Sequence, residues 1–150
     1  MPSWNLRPAR PDDRDFLFEL NRATMKPYVE RVWGWDEERQ ITFFDSRFEP
    51  SRWQIIQAAG EDVGVLIVEE NDDEIYLAEI QLLPSAQSGG IGSSVIRSLI
   101  LRATAAKKPL TLRVLHVNPR ARALYERFGF QPVKEIETHT YLRWDGPAPR

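Results

Sequence analysis

The stretch "PSAQSGGIGSSV", residues 84–95, places three glycines within four positions, immediately before a long run of periodic apolar residues. Glycine inside a helix costs up to about 1 kcal/mol relative to alanine, so glycines gathered at a helix start need a reason. The first N–H groups of a helix lack internal partners and carry partial positive charge. Without side chains just upstream, an anion can approach several of these amides at once. The stretch therefore predicts a diphosphate-binding turn.

The segments on either side of this turn predict a strand and a long helix. "IYLAEIQLL", residues 75–83, has the composition of a strand, and Pro84 ends it. Apolar residues then recur at every fourth position up to about Lys107, which is typical of a half-buried helix. These residues are Ile91, Val95, Leu99 and Ala103, with Ile96 and Ile100 widening the stripe.

The N-terminal half predicts one strand, two helices and a hairpin. "WNLRPA" at 4–9 is the strand, Asp12 and Asp13 are candidate caps of a first helix, and Pro27 is expected to break the segment that follows. Asp36 is expected to cap a second helix that runs to about Phe48. "WQIIQAAG" and "VGVLIVEE" predict a hairpin with its turn at residues 60–62.

The C-terminal half predicts a strand, a helix and two further strands. "LTLRVLHV" is the strand, and "NPRARALYERFG" predicts a helix with Asn118 as N-cap and Gly129 just past its end. "FQPV" and "THTYLRW" supply the last strands. The fold class is therefore α/β, a mixed sheet in one domain over residues 1–150, with a flexible tail at 145–150.

Composition excludes several classes of function. The 150 residues contain no cysteine, so there is no disulfide, thiol nucleophile or cysteine-ligated metal, and two distant histidines do not predict a metal site. A net charge of −2 provides no basic field for nucleic acid. No apolar run approaches the roughly 20 residues of a membrane span. We therefore expect a cytoplasmic protein without metal, nucleic-acid or membrane partners.

Two familiar phosphate-binding motifs do not match the glycine turn. A P-loop requires a lysine that "GIGSSV" lacks. A dinucleotide fingerprint requires a small residue where Val95 stands, and it opens directly after a strand. What remains is the pattern Gln/Arg-x-x-Gly-x-Gly between an apolar strand and a long helix.

That pattern resembles the coenzyme A signature of the GNAT superfamily, the acyl-CoA-dependent N-acyltransferases. "NPRARALYERFGF", residues 118–130, is similar to a second segment of that family, and the order of predicted elements matches it across nearly the whole chain. The resemblance implies a GNAT-like sheet with strands 4 and 5 splayed, so that the pantetheine arm of acetyl-CoA inserts between them. It implies no metal, and dimers are common in the family, which leaves a homodimer open.

The resemblance also implies roles for individual residues. Backbone groups of Leu82 and Leu83 hold the pantetheine arm, Asn118 contacts it, and Tyr125 faces the sulfur. The diphosphate lies on amides of Gln87, Ser88, Gly89, Gly90, Ile91, Gly92 and Ser93. Two slots that are often basic in the family hold Ser88 and Gly89 here, so CoA binding depends more on amides or on basic residues elsewhere. Candidates for the latter are Arg97, Lys107, Arg120 and Arg122.

Acyl transfer to an amine requires a base and an acid. An alkylamine with a pKa near about 10.4 must lose a proton, whereas a thiolate with a reference pKa near about 8.5 must gain one. Tyr125 is our candidate acid. Strict alternation places Glu79 and Gln81 on one face of their strand, so Glu79 is either the base or amine anchor, or the partner of an arginine such as Arg113.

The acceptor side is less specified. Candidates for contact with the amine substrate are Tyr28, Trp33, Glu79, Gln81 and His139. Trp35 adds to the aromatic wall, and Glu30 or Asp36 is placed to attract a cation. For the aromatic residues the alternative is core packing, and for His139 and His116 it is a structural or surface role. The predicted function is direct transfer of an acetyl group from acetyl-CoA to a primary amine of a small molecule or peptide. The alternative is a non-catalytic acyl-CoA-binding module.

Overall fold

The computed structural model describes residues 3–146 and has the predicted order of strands and helices. Residues 147–150 of the predicted tail lie outside the described residues. The elements are β1 (Asn5–Pro8), α1 (Arg14–Val32), α2 (Glu37–Arg47), β2 (Gln54–Ala58), β3 (Glu61–Glu70), β4 (Ile75–Leu82), α3 (Ile91–Ala106), β5 (Leu110–Leu115), α4 (Pro119–Arg127), β6 (Gln131–Glu135) and β7 (His139–Trp144). Short 3-10 turns occupy Pro11–Asp13, Pro50–Arg52 and Pro84–Ala86.

All seven strands belong to one mixed sheet with the order β1-β2-β3-β4-β5-β7-β6. The pairs β1–β2, β2–β3, β5–β7 and β6–β7 are antiparallel, whereas β4 and β5 are parallel. In the described residues the parallel ladder comprises two residue pairs, Ile75–Leu110 and Tyr76–Thr111. The predicted fold class, a mixed sheet in which strands 4 and 5 pair over a limited length, is confirmed.

The chain divides into two compact units. The first comprises the segment up to Ile67 together with Glu79–Ser94, and the second comprises Val68–Ala78 and the chain from Val95 onward. Each has a set of fully buried apolar side chains: Leu17, Leu20, Ile55 and Ile56 in the first; Ile75, Ile96, Leu110, Leu112 and Leu142 in the second. The helices of residues 3–146 include none with the length and apolar character that a membrane crossing requires.

The predicted break at Pro27 is wrong, because α1 continues through it to Val32. The φ angle that the proline ring imposes is compatible with a helix, although the residue lacks the N–H that would donate to the preceding turn. The helix ends instead two residues before Gly34, which has a φ of +79° and whose N–H donates to the carbonyl of Glu30. A left-handed residue of this kind is a common helix terminator.

The hairpin of β2 and β3 turns one residue earlier than predicted. Its two loop residues are Ala59 and Gly60, with φ angles of +53° and +79°, while Glu61 and Asp62 already belong to β3. A two-residue loop with both residues in the left-handed region matches the twist of the strands that it joins. Asp36 caps α2 as predicted, since its carboxylate accepts from the N–H of Arg39 at 3.0 Å.

A charge cluster joins the first strand, the start of α1 and the hairpin. Asp13 precedes α1, but its side chain does not cap that helix. Its carboxylate accepts two hydrogen bonds of 2.9 Å from Arg7, which also donates to Asp62 at 2.8 Å. Gln57 donates to the other oxygen of Asp62 at 2.8 Å. The hydrogen bonds from Arg7 lower the pKa of both carboxyl groups below their ordinary value.

We expect Arg7→Met to lower the free energy of unfolding by about 2 kcal/mol at neutral pH, because it leaves two carboxylates without their cation. Both carboxyl groups have a folded pKa below the unfolded one, so this contribution is present above about pH 4 and is lost as the pH falls through the folded values. Urea titrations at pH 7 and pH 3 measure both effects. Arg52→Met, which removes an exposed pair with Glu49, is the control, with a change of at most about 0.5 kcal/mol. An equal change for both variants would contradict the prediction.

Candidate active site

The glycine turn lies directly before the first residue of α3. Gly90 has a φ of +81°, a conformation that favours glycine, and its carbonyl accepts the helical hydrogen bond from Ser94 at 3.0 Å. Residues Gln87–Gly90 are exposed or nearly so. A Cβ atom built on Gly89 would meet no other atom within 4 Å. The turn is therefore exposed and has free space beside Gly89, as the diphosphate-binding hypothesis requires.

The end of β4 is connected both to β3 and to this turn. The N–H of Leu83 donates to the carbonyl of Val63 at 2.8 Å. The carbonyl of Leu82 accepts from the side-chain amide of Gln87 at 3.0 Å. One backbone group of each residue predicted to hold the pantetheine arm is thus already engaged within the protein. Gln87 has a role that its motif position did not reveal, since it ties the turn to the strand.

The alternation expected along β4 does not persist to its end. Ile75 and Leu77 are buried, with the half-buried Tyr76 between them, but the neighbours Gln81 and Leu82 are both buried. Gln81 is 6% exposed, and its amide donates to Oδ1 of Asn21 on α1 at 3.0 Å. Glu79 is half-buried. Burial along β4 therefore does not follow the alternation that assigned Glu79 and Gln81 to one common face, and their substrate roles stay predictions.

Two of the predicted acceptor residues lie on or next to α1. Tyr28 is half-buried and stands seven residues beyond Asn21, which places the two side chains on the same face of the helix. Trp33, the residue after α1, is 60% exposed. Through Asn21, Gln81 of β4 and Tyr28 are associated with one helix face, which supports their grouping.

The connection between α1 and α2 is held by polar contacts of its residues. Trp35 Nε1 donates to Glu37 at 2.8 Å, and Glu37 forms an ion pair with Arg22 of α1. The hydrogen bond from Trp35, together with the charge of Arg22, lowers the pKa of Glu37. The Lys26 ammonium lies 5.7 Å from the centre of the Trp35 ring. Trp35 thus serves as a link between the two helices, a contact that its place in the sequence did not predict.

Helix α4 begins after Asn118, which caps it as the sequence predicts, and contains Tyr125. The side chain of Asn118 accepts from the N–H of Ala121 at 3.2 Å, and Gly129, with a φ of +98°, follows the helix end. Tyr125 is half-buried, and its ring centre lies 5.6 Å from that of Phe130 in an edge-on arrangement. Asn118 therefore uses its side-chain oxygen as a helix cap, in addition to any contact with CoA.

Sequence reasoning missed a cavity of about 310 Å³ beside α4 and β7. Thr140 is fully buried in its wall, and its hydroxyl accepts from Arg122 at 3.3 Å. Arg122 also lies 3.5 Å from both Glu126 and Glu135. Thr140 and Glu135 are cross-strand partners. The pairing of β6 with β7 was therefore the feature that could have brought these two residues together in the sequence analysis. Because carboxylates surround Arg122, it is a weaker candidate for phosphate contact than the sequence suggested.

His139 begins β7 and is half-buried opposite Leu115 of β5. The hydroxyl of Thr138 lies 2.8 Å from its Nδ1 atom. Burial, followed by the positive charges of Arg113 and His116, lowers the pKa of His139 below its ordinary value. The imidazole is therefore neutral at pH 7, the form that a base requires.

We expect Arg113→Gln to raise the pKa of His139, because it removes a positive charge that disfavours imidazolium. The value should stay below the ordinary one of about 6.5, since burial is the larger cause. NMR titration of the His139 ring protons measures both. Arg120→Gln, an exposed substitution at the start of α4, is the control and should leave the titration unchanged. A fall in the pKa of His139 in Arg113→Gln would contradict the stated cause.

Metal binding has no obvious location in this part of the molecule: within residues 3–146 there is no group of three or more His, Cys, Asp or Glu side chains that could hold an ion. The structure instead has an exposed glycine turn at the start of α3, beside a strand whose end is bonded to β3. Together with the mixed sheet and its short parallel ladder, it defines the class of acyltransferases that bind a CoA thioester.

Comparison with known proteins identifies the family. Residues 49–132, more than half of the chain, match the acetyltransferase (GNAT) domain. The chain therefore belongs to the GNAT acetyltransferase family and is by class an acetyl-CoA-dependent acetyltransferase. The resemblance read from the glycine turn and the "NPRARALYERFGF" segment is confirmed.

Solved structures with similar folds are acetyltransferases at low sequence identity. PaiA N-acetyltransferase from Thermoplasma acidophilum, in complex with coenzyme A, has a TM-score of 0.74 and 14% identity, covering 94% of this chain and 98% of its own. The ribosomal-protein-S18-alanine N-acetyltransferase from Escherichia coli has a TM-score of 0.66 and 19% identity, with coverages of 94% and 92%. Arabidopsis thaliana Naa50, in complex with the bisubstrate analogue CoA-Ac-MVNAL, has a TM-score of 0.64 and 16% identity, with coverages of 95% and 98%.

Proposed function

We propose that the protein transfers an acetyl group from acetyl-CoA directly to a primary amine of a small molecule or peptide. The observation that carries this proposal is the conformation of the glycine turn. Gly90 adopts a left-handed conformation, and the position of a Cβ on Gly89 has open space around it. Such a turn lets the diphosphate of CoA approach the α3 amides. The bound thioester supplies an activated acetyl group.

On the donor side, amides carry most of the anion binding in this proposal. The guanidinium of Arg97 lies 5.5 Å from the centre of the Phe128 ring, and Arg122 is paired with carboxylates. Both arginines therefore already have contacts within the protein. The amides from Gln87 to Ser93 are the proposed donors, and that of Gln87 also donates to the carbonyl of Pro84 at 3.3 Å.

We expect Gly90→Ala to weaken CoA binding at least tenfold. Alanine in a left-handed conformation costs about 1–2 kcal/mol, and relief of that strain rotates the neighbouring amides away from the anion. Gly60→Ala is the matched control, because Gly60 has a φ of +79° and a Cβ there meets nothing within 4 Å. Calorimetric titration with CoA measures both variants. Equal affinities for Gly90→Ala and Gly60→Ala would refute the assignment of CoA to this turn.

On the acceptor side, a base must remove a proton from the amine before attack. Glu79 and His139 are the proposed candidates for this role, directly or through water. Both are half-buried, and the lowered pKa of His139 keeps it neutral at pH 7. Gln81, Tyr28 and Trp33 are proposed to contact the acceptor. The new amide bond forms as the thioester C–S bond breaks, with the oxyanion stabilised by a backbone N–H at the end of β4.

Tyr125 is proposed to protonate the leaving thiolate. A phenol near pKa 10 is a reasonable donor to a thiolate whose acid has a pKa near about 8.5. Its half-buried ring against Phe130 gives it a defined position. No covalent enzyme intermediate is proposed, because the chain has no cysteine and no serine in a recognisable nucleophile setting.

We expect Tyr125→Phe to lower kcat at least tenfold and to leave the affinity for CoA unchanged, since it removes one proton donor and keeps the ring. Release of free CoA with a panel of peptides, polyamines, amino acids and aminoglycosides measures kcat. Tyr141→Phe on β7 is the control and should retain wild-type kcat. Full activity of Tyr125→Phe would contradict the proposed acid. CoA binding without turnover of any amine would favour the non-catalytic binding module instead.

The chemical class of the amine acceptor is also a proposal, and the related structures provide limited support for one class of amine. Two of the related structures described above are named for, or bound to, protein or peptide substrates. They support including peptide N-termini in the amine panel. A cytoplasmic location, the absence of a nucleic-acid partner and a homodimer stay predictions.

A further inference from the structure

Strand β3 contains an extra residue close to the end of β4. Ile56 of β2 pairs with Gly64, whereas the next residue, Gln57, pairs with Asp62. Val63 therefore stands between two paired residues without a partner of its own in β2, which is the pattern of a β-bulge. Its carbonyl is the acceptor for the N–H of Leu83. The carbonyl group at the bulge therefore bonds to the residue that follows the end of β4.

The neighbouring residue, Gly64, is required by space and not by backbone conformation. It lies outside the left-handed region in which glycine is favoured. A Cβ atom at this position would overlap the carbonyl oxygen of Gln81 and stand 2.8 Å from Cδ2 of Leu82. The Gln81–Leu82 peptide therefore occupies the volume that any side chain at position 64 would fill. The obstructing atom is backbone, so no change of rotamer can relieve the overlap.

Gly64 leaves room for Gln81 and Leu82, the last two residues of β4, and from there the chain leads to the glycine turn. Gln87 donates to the Leu82 carbonyl, and Cδ1 of Leu82 lies 3.6 Å from the position of a Cβ on Gly92. A shift of Gln81–Leu82 would thus be transmitted to both ends of the turn. Asp62, which precedes the bulge, is held by Arg7 and Gln57. These two hydrogen bonds fix the residue on the N-terminal side of the bulge.

We propose that Gly64 is a positioning residue for the acyl-donor site: by leaving its side-chain volume to the Gln81–Leu82 peptide, it sets the backbone groups of β4 that face the thioester. This inference rests on the proposed function, because it assigns that backbone to the acetyl-CoA site. Contacts with β3 hold both the Gln81–Leu82 peptide and the N–H of Leu83, so the fold itself sets the path of the backbone at the end of β4. A displacement of about 1 Å in such a group is enough to lower a rate substantially.

The test compares Gly64→Ala with Val65→Ala. Val65 is the next residue of the same strand, is 3% exposed, and has no assigned role at the site, so its truncation destabilises the strand without filling the space of Gln81–Leu82. Both variants are assayed below their unfolding transitions, with kcat and KM for acetyl-CoA measured separately. We expect Gly64→Ala to lose at least tenfold in kcat, with a smaller rise in KM, and Val65→Ala to stay within twofold of wild type. Identical kinetics for the two variants would overturn the proposal.

A second measurement needs no variant. Amide hydrogen exchange of Leu83 in the ligand-free wild type is expected to be slow, because its N–H is bonded to Val63 before any ligand arrives. Addition of CoA should change its protection by less than threefold. Rapid exchange of Leu83 in the ligand-free protein, or protection that develops only with CoA, would overturn the proposal even where Gly64→Ala does not fold.

The two hypotheses fail in different ways. If the wild type binds no CoA and acetylates no amine, the proposed function fails, and protection of Leu83 then describes only the packing of β3 against β4. If the wild type is active and Gly64→Ala matches Val65→Ala, the proposed function stands and the positioning role of Gly64 is wrong.

Discussion

The close approach of β3 to the end of β4 is the constraint on which the candidate site depends. The Val63 carbonyl holds the N–H of Leu83, and the missing side chain of Gly64 leaves room for the Gln81–Leu82 peptide. From there the chain passes through Pro84 into the turn that opens α3. Because Gln87 bonds back to Leu82, the strand end and the turn form one connected backbone segment. A glycine within a strand usually weakens that strand. Here the same glycine leaves the space that the neighbouring strand β4 needs.

In the proposed function, backbone groups bind the diphosphate more than side-chain charge does. Two turn positions that are often basic in the family hold Ser88 and Gly89. Arg97 and Arg122, both candidates to compensate, are engaged by Phe128 and by carboxylates. Salt screens the attraction of exposed cations for a diphosphate, whereas hydrogen bonds from uncharged amides depend on where the amides point. On this proposal, the conformation at Gly90 matters more to CoA binding than the number of basic residues.

Local signals predicted most of the elements, and long-range packing explains the exceptions. The apolar period of α3, the Asp36 cap and the Asn118-to-Gly129 helix signal each act within a few residues of the backbone they control, and all three were confirmed. Pro27 was expected to break α1, but burial of Leu17, Phe18 and Leu20 and the terminator Gly34 determine where that helix ends. Asp13 was expected to cap α1, but Arg7, distant from the helix axis, takes its carboxylate.

The sequence by itself determined the order of elements, the mixed α/β class and the glycine turn, because each follows from periodicity, caps and backbone preferences within a short window. It also contained the two motifs that identify the family. The tertiary structure alone decided that Gly64 faces the Gln81 carbonyl, that Gln81 bonds to Asn21, and that Thr140 joins Arg122 beside a cavity. These contacts connect residues 17 to 60 positions apart, and their geometry arises from strand register, which no local pattern specifies.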